Sequence, residues 1–332
     1  MRILVNLGLV GNDMPRRAFI ASIIKVSGNV NADISVGIRV PMKKIFNWKQ
    51  EVKAFVSARC IRRCIRERLA EKKGLYIDPL QLVGAGREQQ LGDIGNPIKY
   101  VDDDLFGFLV PERPPRKRSS PVKISPLISL HHTEIKVEFA ARFPRDFLKE
   151  YEKGNPVPFE IEVAEWLGRL NVIVSDRIGR FEALELTEDM LKSGEVSEVE
   201  KGVYQLSAEE RKKRLRALLE VLLWEGWEFP RGSESPCTPE FYYAVVALTE
   251  HFTPIFSYVD VSDDELDKSK LAKISDIYGK LIDRMYVIDY RQGVVDVYER
   301  GSEGTLTKVK SSKLDSETIR EVIEGICEYI VV

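Results

Sequence analysis

Four arginines stand about one helical turn apart in the stretch VSARCIRRCIRERL, residues 56–69. They are Arg59, Arg62, Arg63 and Arg66. If the stretch is helical, steps of 100° per residue bring all four into a sector of about 100°. A guanidinium group can donate two parallel hydrogen bonds to the oxygens of one phosphate. Several such groups on one helix face suit a polyanion better than a single small phosphate.

The positive charge is local, because the whole chain has a formal net charge of −2. Residues 39–73 carry twelve Lys or Arg against three acidic residues, and residues 182–200 carry seven acidic residues against one lysine. Two interpretations are open at this point. The arginine face is either solvated or ion-paired with residues 182–200, or it is a binding track for phosphates.

A helix must position these arginines. Ser57 is a good N-cap for a helix over 58–72, and Gly74 is a good C-terminal stop. The free N–H groups after Ser57 would add an anion site at the helix N-terminus. An apolar stripe beside the arginines predicts packing on a sheet; its members are Ala58, Ile61, Ile65 and Leu69.

The remaining pattern predicts an α+β fold with helices on one face of an antiparallel sheet and the other face open to a ligand. The β-α-β-β-α-β order of a ferredoxin-like domain fits if large insertions separate its elements. The proline-rich basic segment 110–127 predicts an irregular, mobile insertion. Further strands are predicted at 18–28, 132–141, 158–164, 170–182 and 241–250, and further helices at 208–225, around 264–283 and from a Ser316 cap to the C-terminus.

The arginine stretch resembles the V-S-x-x-x-x-R-x-x-x-R helix of the CRISPR-associated DevR, or autoregulator, family. Other segments resemble the same family in the same order, from about residue 18 to residue 250. They are FIASIIKVSGNVNAD, DDDLFGFL, SPLISL, DRIGRFE, ERKKRLRALLEVLLWEG and PRGSESPCTPEFYYAVVA. Residues 255–332 contain no motif that matches.

The resemblance implies a backbone subunit of type I Cascade, from the RAMP superfamily, acting in antiviral defence. It implies a modified RNA-recognition (ferredoxin-like) fold with large insertions that form fingers, palm and thumb. Several copies would form a helical filament along one crRNA, beside other Cascade subunits, and leave the guide free to pair with target DNA. The expected single domain has its first strand and helix at 18–28 and 57–73, insertions at 29–56 and 75–127, a thumb hairpin at 132–163, the rest of the core at 170–250, and a C-terminal extension at 255–332.

The resemblance also implies the RNA-binding residues. The palm track would contain Ser57 together with the four arginines of the helix. Asn29 and Asn31 would hold RNA beside the end of the first strand, and Arg39 is included in the predicted site. Arg231 and Ser235 would approach from a glycine loop. The thumb hairpin would insert between bases and meet the next subunit.

Other candidates for chemistry are weak, so we expect no catalytic residue, metal or cofactor and no enzymatic activity. Asp102, Asp103 and Asp104 are consecutive and predict a solvated turn or cap. An alternative function is a metal-dependent endoribonuclease of a type III-like complex, which would use Asp33. The adjacent histidines His131 and His132, like His251, lack metal-ligand spacing. A transcriptional regulator is a third hypothesis, although no helix-turn-helix pattern is visible.

The four cysteines are predicted to be reduced and to serve packing; they are Cys60, Cys64, Cys237 and Cys327. No pair has C-x-x-C spacing, and an i,i+4 pair on a helix suits packing better than a disulfide. The chain shows no signal-peptide pattern and no apolar run near the ~20 residues that span a bilayer. We therefore expect a cytoplasmic protein without a membrane partner.

Overall fold

The computed structural model describes residues 14–84, 89–111, 114–147, 154–230 and 237–332. Arg231 and Ser235 of the predicted site lie outside these ranges. None of the helices in the described part has the length and apolar character needed to cross a membrane. These helices are α1 (Ala58–Ala70), α2 (Val101–Phe106), α3 (Glu188–Lys192), α4 (Ala208–Glu220), α5 (Lys268–Tyr278) and α6 (Ser316–Ile330). A π-helical turn, Val221–Glu225, continues α4.

The strands form one large sheet and several small ones. The strands are β1 (Arg17–Gly28), β2 (Arg39–Val40), β3 (Lys44–Phe46), β4 (Val52–Val56), β5 (Gln81–Val83), β6 (Gln90–Gly92), β7 (Phe108–Val110), β8 (Arg116–Arg118), β9 (Val122–Ile124), β10 (Leu127–Ser129), β11 (Lys136–Arg142), β12 (Val157–Ser175), β13 (Arg180–Glu182), β14 (Ser197–Glu200), β15 (Val203–Gln205), β16 (Glu240–Thr249), β17 (Val261–Ser262), β18 (Glu265–Leu266), β19 (Arg284–Asp289), β20 (Val294–Arg300) and β21 (Leu306–Lys313).

Strand β1 lies inside the large sheet, antiparallel to β12 on one side and to β16 on the other. The sheet order is β21-β20-β19-β16-β1-β12-β10-β4-β3, and β9 also pairs with β12. The N-terminal part of β12, residues 157–163, pairs with β11 and β2. The sequence pattern predicted two strands, at 158–164 and 170–182, where the structure has the single long strand β12, a turn at 176–179 and the short strand β13. The sheet is otherwise the α+β arrangement that the pattern predicted.

Both faces of β1 are buried over residues 18–24, where Ser22 is the single polar residue, as is typical of a strand covered on both sides. Ile20 and Ile24 face a large cluster that contains the apolar sides of α1, α4 and α6, so the two predicted core helices lie on the same face. Phe19 and Ile23 face a second cluster with α5 and residues 255–261. The expectation that this second face would be open is therefore wrong over β1, β16 and β19, where the C-terminal extension covers it.

Local signals explain the ends of the helices. Ser57 caps α1 as predicted, because its hydroxyl accepts a hydrogen bond from the Cys60 N–H. The apolar side of α1 is buried at Ile61, Ile65 and Leu69. The predicted Ser316 cap of α6 is wrong by one residue: the Asp315 carboxylate accepts from the N–H groups of residues 317 and 318. Asp and Ser are similarly good N-caps, so sequence preference could not separate them.

The basic segment 110–127 is not the irregular insertion that its prolines predicted. It contributes β8, β9 and β10, and the last two hydrogen-bond to β12. Pro121 and Pro126 lie just before β9 and β10, where a missing N–H removes no ladder bond inside a strand. Arg118 at the end of β8 is buried and paired with carboxylates. Pairing with β12 and burial of this arginine fix the described part of the segment.

The three consecutive aspartates of α2 are buried, so the prediction of a solvated turn is wrong. Asp104 has a fully buried carboxylate that lies 2.7 Å from Arg118 and 2.9 Å from Arg214. The same carboxylate accepts a 3.0 Å hydrogen bond from the Gly179 N–H. Asp102 pairs with Arg66 of α1 at 2.9 Å. These ion pairs fix α2 against α1, α4 and β8, and the hydrogen bond from Gly179 fixes it against the turn after β12.

Asp103 faces two other carboxylates. Ligand oxygens of Asp78, Asp93 and Asp103 all lie within 4.8 Å of one another. Burial, and then the charges of Asp78 and Asp102, raise the pKa of Asp103 to about 8. A hydrogen bond from the Asn96 N–H to Asp103, at 2.7 Å, offsets part of this rise. The cluster therefore holds a proton near neutral pH.

We predict that Asp104→Ala lowers the free energy of unfolding by about 3–5 kcal/mol, because two buried guanidinium groups lose a shared carboxylate. Urea denaturation measures this change. Glu188→Ala is the control, since it breaks only the exposed Lys192–Glu188 pair, whose contribution is about 0–1 kcal/mol. Equal stability of the two variants would contradict the role of Asp104.

We also predict a pH dependence from Asp103. Its pKa is raised from 3.8 to about 8, so within this window the folded chain binds a proton that the unfolded chain lacks. Stability from this group is therefore present at low pH and is lost as the pH rises toward 8. Asp103→Asn should make the fall in melting temperature between about pH 5 and pH 8 shallower. Asp189→Asn, at an exposed site on α3, should leave the slope unchanged; a wild-type slope in both variants would refute the prediction.

Candidate nucleic-acid interface

The four arginines of α1 lie side by side but differ in their surroundings. Arg59 and Arg63 are exposed, whereas Arg62 and Arg66 are half-buried. The first turn of the helix contains no acidic residue, so its positive end is not neutralised there. The partners of each guanidinium group therefore decide how much positive charge is left for an external anion.

Arg66 is held by α2. Its Nε donates to the Asp102 carboxylate at 2.9 Å, and its guanidinium carbon lies 5.1 Å from the centre of the Phe106 ring. Its side chain is one-third exposed. Asp102, which lies outside α1, therefore supplies Arg66 with a counter-charge that the helix sequence alone did not show. Arg66 is the most firmly positioned member of the row.

Arg63 has only a weak internal partner. Its Nε donates to Glu67 one turn along the helix, at 2.9 Å, and the two side chains are 71% and 57% exposed. That hydrogen bond raises the pKa of Arg63. Exposed i,i+4 pairs contribute about 0.3–0.5 kcal/mol, so a phosphate can displace Glu67 at little cost.

Arg62 is the unusual member. Its Nε is buried and has no hydrogen-bond acceptor among the described residues. Burial, followed by the neighbouring charges of Arg66 and Arg59, lowers the pKa of Arg62. A buried donor without an acceptor costs about 1–3 kcal/mol, more for a charged group. An external anion between Arg59, Arg62 and Arg66 would supply the missing acceptor and relieve the repulsion.

The acidic segment does not neutralise the helix. In the part of the chain that the structure describes, no ion pair joins residues 182–200 to α1. Glu185 pairs instead with Arg118 at 2.6 Å and with Arg177 at 3.0 Å. The interpretation of the arginine face as the partner of this segment is therefore wrong, and a solvated face or a phosphate track remains.

The other predicted RNA-binding residues have internal roles. Asn29 is only 2% exposed, and its amide donates to the carbonyl groups of Val40 and Glu162. Its side chain is thus buried and hydrogen-bonded inside the protein, and RNA contact by Asn29 stays a prediction. Arg39 lies on β2 and pairs with Glu160 of β12 at 2.7 Å.

Asn31 is held by its backbone. It adopts a left-handed conformation with φ of 53°, and its N–H donates to the Pro230 carbonyl at 3.0 Å. Its side-chain amide nitrogen is buried and has no acceptor among the described residues. Asn31 thus ties the end of β1 to residue 230, which directly precedes the predicted glycine loop.

The residues that the sequence analysis considered as metal ligands do not come together in the described part of the chain. Among the described residues, only Asp78, Asp93 and Asp103 bring three possible ligand groups together. Asp33 is exposed, and its carboxylate accepts a hydrogen bond from the Ile34 N–H. His131, His132 and His251 belong to no such group in the described ranges either.

Sequence reasoning missed Asp102 and Phe106, which position Arg66. The apolar residues that follow the aspartates in DDDLFGFL could have predicted that the aspartates are buried. When an apolar run is buried, the charged residues next to it are placed inside the protein as well. The partner could not be found locally, because Arg66 precedes Asp102 by 36 residues.

A family model described as CRISPR-associated negative auto-regulator DevR/Csa2 matches residues 66–270, more than half of the chain. No curated protein matches the sequence. Two solved structures have a similar fold at low sequence identity. One, titled "CRISPR RNA-guided surveillance complex, pre-nicking", has a TM-score of 0.57 and 11% identity over 93% of this chain and 100% of that chain.

The second structure, titled "CRISPR RNA-guided surveillance complex", has a TM-score of 0.53 and 10% identity over 93% of this chain and 99% of that chain. At these identities the likeness concerns the fold alone. The family match over residues 66–270 includes the Arg66 end of α1, the aspartates of α2, and α4. The chain therefore belongs to the CRISPR-associated DevR/Csa2 family.

Proposed function

We propose that this chain binds crRNA as the backbone subunit of a type I Cascade complex. The single observation that carries the proposal is Arg62, a half-buried guanidinium group whose Nε has no acceptor among the described residues. Arg59 extends the same face and has no ion pair in the described ranges. Two cations are thus left for an external anion, while Asp102 fixes Arg66 beside them.

The arginine row fits the way a guide must be held. Guide bases have to remain free to pair with a target, so the protein should contact phosphates and sugars rather than base edges. Guanidinium groups on a rigid helix satisfy this requirement for any sequence. Arg63 would join the track by exchanging Glu67 for phosphate, and Ser57 would keep the helix end in place as its cap.

We also propose that the core is a ferredoxin-like, modified RNA-recognition fold. The strand order β16-β1-β12-β10 supports this, as do the antiparallel pairs of β1 with its two neighbours. Helices α1 and α4 lie on one face of these strands. In this assignment residues 29–56 belong to the fingers, and the β11–β12 hairpin within 132–163 is the thumb.

The proposed partners follow from this role. They are further copies of the chain in a helical filament along crRNA, other Cascade subunits, and target DNA paired with the guide, all in the cytoplasm. Cleavage is not part of the proposal. Asp33 stands outside any group of three metal-ligating side chains in the described ranges, and metal-assisted phosphoryl chemistry needs several ligands to hold its ions.

We predict that Ala at Arg59, Arg62, Arg63 and Arg66 weakens binding to unrelated single-stranded RNAs by the same factor. The slope of log affinity against log salt should fall by roughly 0.7 for each phosphate that the protein no longer neutralises. Arg62→Lys should restore part of the affinity, since an ammonium group carries the charge but not the planar fork. The measurement is a salt titration with two RNAs of different sequence.

Arg320→Ala is the matched control, because Arg320 is an exposed helical arginine on α6. A thermal melt checks that every variant folds. Wild-type affinity and salt slope in the folded quadruple variant would refute the proposal. Cleavage of RNA that requires Mg²⁺ and is abolished by Asp33→Asn would favour the endoribonuclease instead.

A further inference from the structure

An aromatic turn projects from one end of the large sheet. It consists of Phe46, the last residue of β3, and residues 47–51, which connect β3 to β4; β3 is the last strand in the sheet order. Trp48 is 86% exposed and Phe46 is 64% exposed. The Lys49 ammonium lies 5.2 Å from the centre of the Trp48 ring. Exposed aromatic groups beside a cation are typical of contact sites, since Trp is enriched among residues that dominate binding energy.

The aromatic turn is ordered by its own hydrogen bonds. Asn47 Oδ1 accepts from the N–H groups of Lys49 and Glu51, both at 2.9 Å. The Asn47 amide also donates to the Glu51 carboxylate at 2.6 Å. Trp48 is therefore presented on a fixed backbone, and little backbone entropy is lost when a partner covers it.

A cavity of about 630 Å³ lies at the opposite end of the sheet. It is formed by α5 and by strands β16, β19, β20 and β21. Its floor contains Leu271, Met285 and Val287. A volume in the range of about 300–1,000 Å³ with an apolar floor is typical of pockets that bind a ligand-sized group.

The rim of this cavity is acidic. Four carboxylates and two lysines line it. Asp296 is paired with Lys308 at 3.1 Å. Glu265 and Asp276 are exposed and have no ion pair in the described part of the chain. An apolar floor with an acidic rim is complementary to an aromatic group that is accompanied by a cation.

We propose that the aromatic turn of one copy of this chain docks into the acid-rimmed cavity of the next copy. Trp48 would cover the apolar floor, and Lys49 would meet Glu265 and Asp276. Because the turn and the cavity lie at opposite ends of one sheet, the contact is heterologous and propagates in one direction. The inference deepens the proposed function, on which it rests, by assigning the surfaces through which neighbouring copies meet.

The contact should depend on RNA. An aromatic side chain buries about 150–250 Å², so Trp48 and Phe46 together fall short of the ~800 Å² per partner of a stable interface. Free chains should therefore associate weakly. Copies held next to each other on one RNA experience a high effective concentration, and the same contact is then populated.

Photo-crosslinking tests the contact directly. A benzoylphenylalanine replaces Trp48, and the protein is loaded on a single-stranded RNA long enough for several copies. We expect crosslinks to α5 or to residues 285–308 of a second copy, identified by mass spectrometry. Crosslinks to the RNA, to another part of a second copy, or to nothing would each overturn the proposal.

A charge exchange tests the rim. Lys49→Glu and the pair Glu265→Lys with Asp276→Lys should each reduce cooperative loading on long RNA, and Trp48→Ala should reduce it on the order of tenfold or more. Combining Lys49→Glu with the two rim substitutions should restore loading. Leu184→Ala is the control, since Leu184 is 81% exposed elsewhere and its truncation should change nothing.

Binding to an RNA that holds one copy separates this inference from the proposed function. Trp48→Ala should bind the short RNA like wild type, whereas the α1 arginine variant should lose binding to both lengths. If Trp48→Ala loads long RNA like wild type, or if the charge exchange restores nothing, the assigned contact is wrong while the RNA track stands. A thermal melt of each variant confirms that it folds.

Discussion

The carboxylate of Asp104 is fully buried. A buried charge is strongly destabilising unless cations and N–H groups surround it. Arg118, Arg214 and the Gly179 N–H provide that environment. These partners come from β8, α4 and the turn after β12, so one carboxylate joins elements that are distant in the sequence. The position of the short helix α2 depends on this ion-pair network, which fixes α2 against the core.

The position of α2 has a direct consequence for the arginine row. Asp102, two residues before Asp104, pairs with Arg66, and Phe106 lies against the same guanidinium group. Arg66 is thereby immobilised, and its charge raises the cost of holding Arg62. The four arginines therefore differ: Arg66 is anchored by Asp102, Arg63 is weakly paired with Glu67, and Arg59 and Arg62 have no ion pair among the described residues. Such preorganisation lowers the entropy cost of binding a phosphate.

Strong local sequence patterns predicted the central strand β1 and the helix α1 correctly. The apolar run of β1, the Ser57 cap and the stripe of α1 each point to one structure, and burial at Ile61, Ile65 and Leu69 agrees with them. Long-range packing explains the failures. Two strands were predicted where β12 is continuous, and within it a Cβ at Gly168 would lie 2.4 Å from the Trp166 ring, so the packing of this ring requires glycine there.

The candidate site was predictable only in part, for the same reason. The spacing of the α1 arginines is visible in the sequence, but their partners are not. Asp104 meets Arg214 across 110 residues, and no local rule distinguishes such a buried carboxylate from a solvated one. Asn29 illustrates the same limit: the family resemblance implied contact with RNA, and the sequence did not show that its amide joins β1 to β2 and β12.

The most direct test of RNA binding by the α1 arginines is a cryo-electron microscopy structure of several copies on one single-stranded RNA. We expect phosphate oxygens about 3 Å from the guanidinium nitrogens of Arg59 and Arg62, with Arg66 still on Asp102 and the base edges free of protein. RNA density on another surface, with the α1 arginines facing only solvent or protein, would contradict the proposed track.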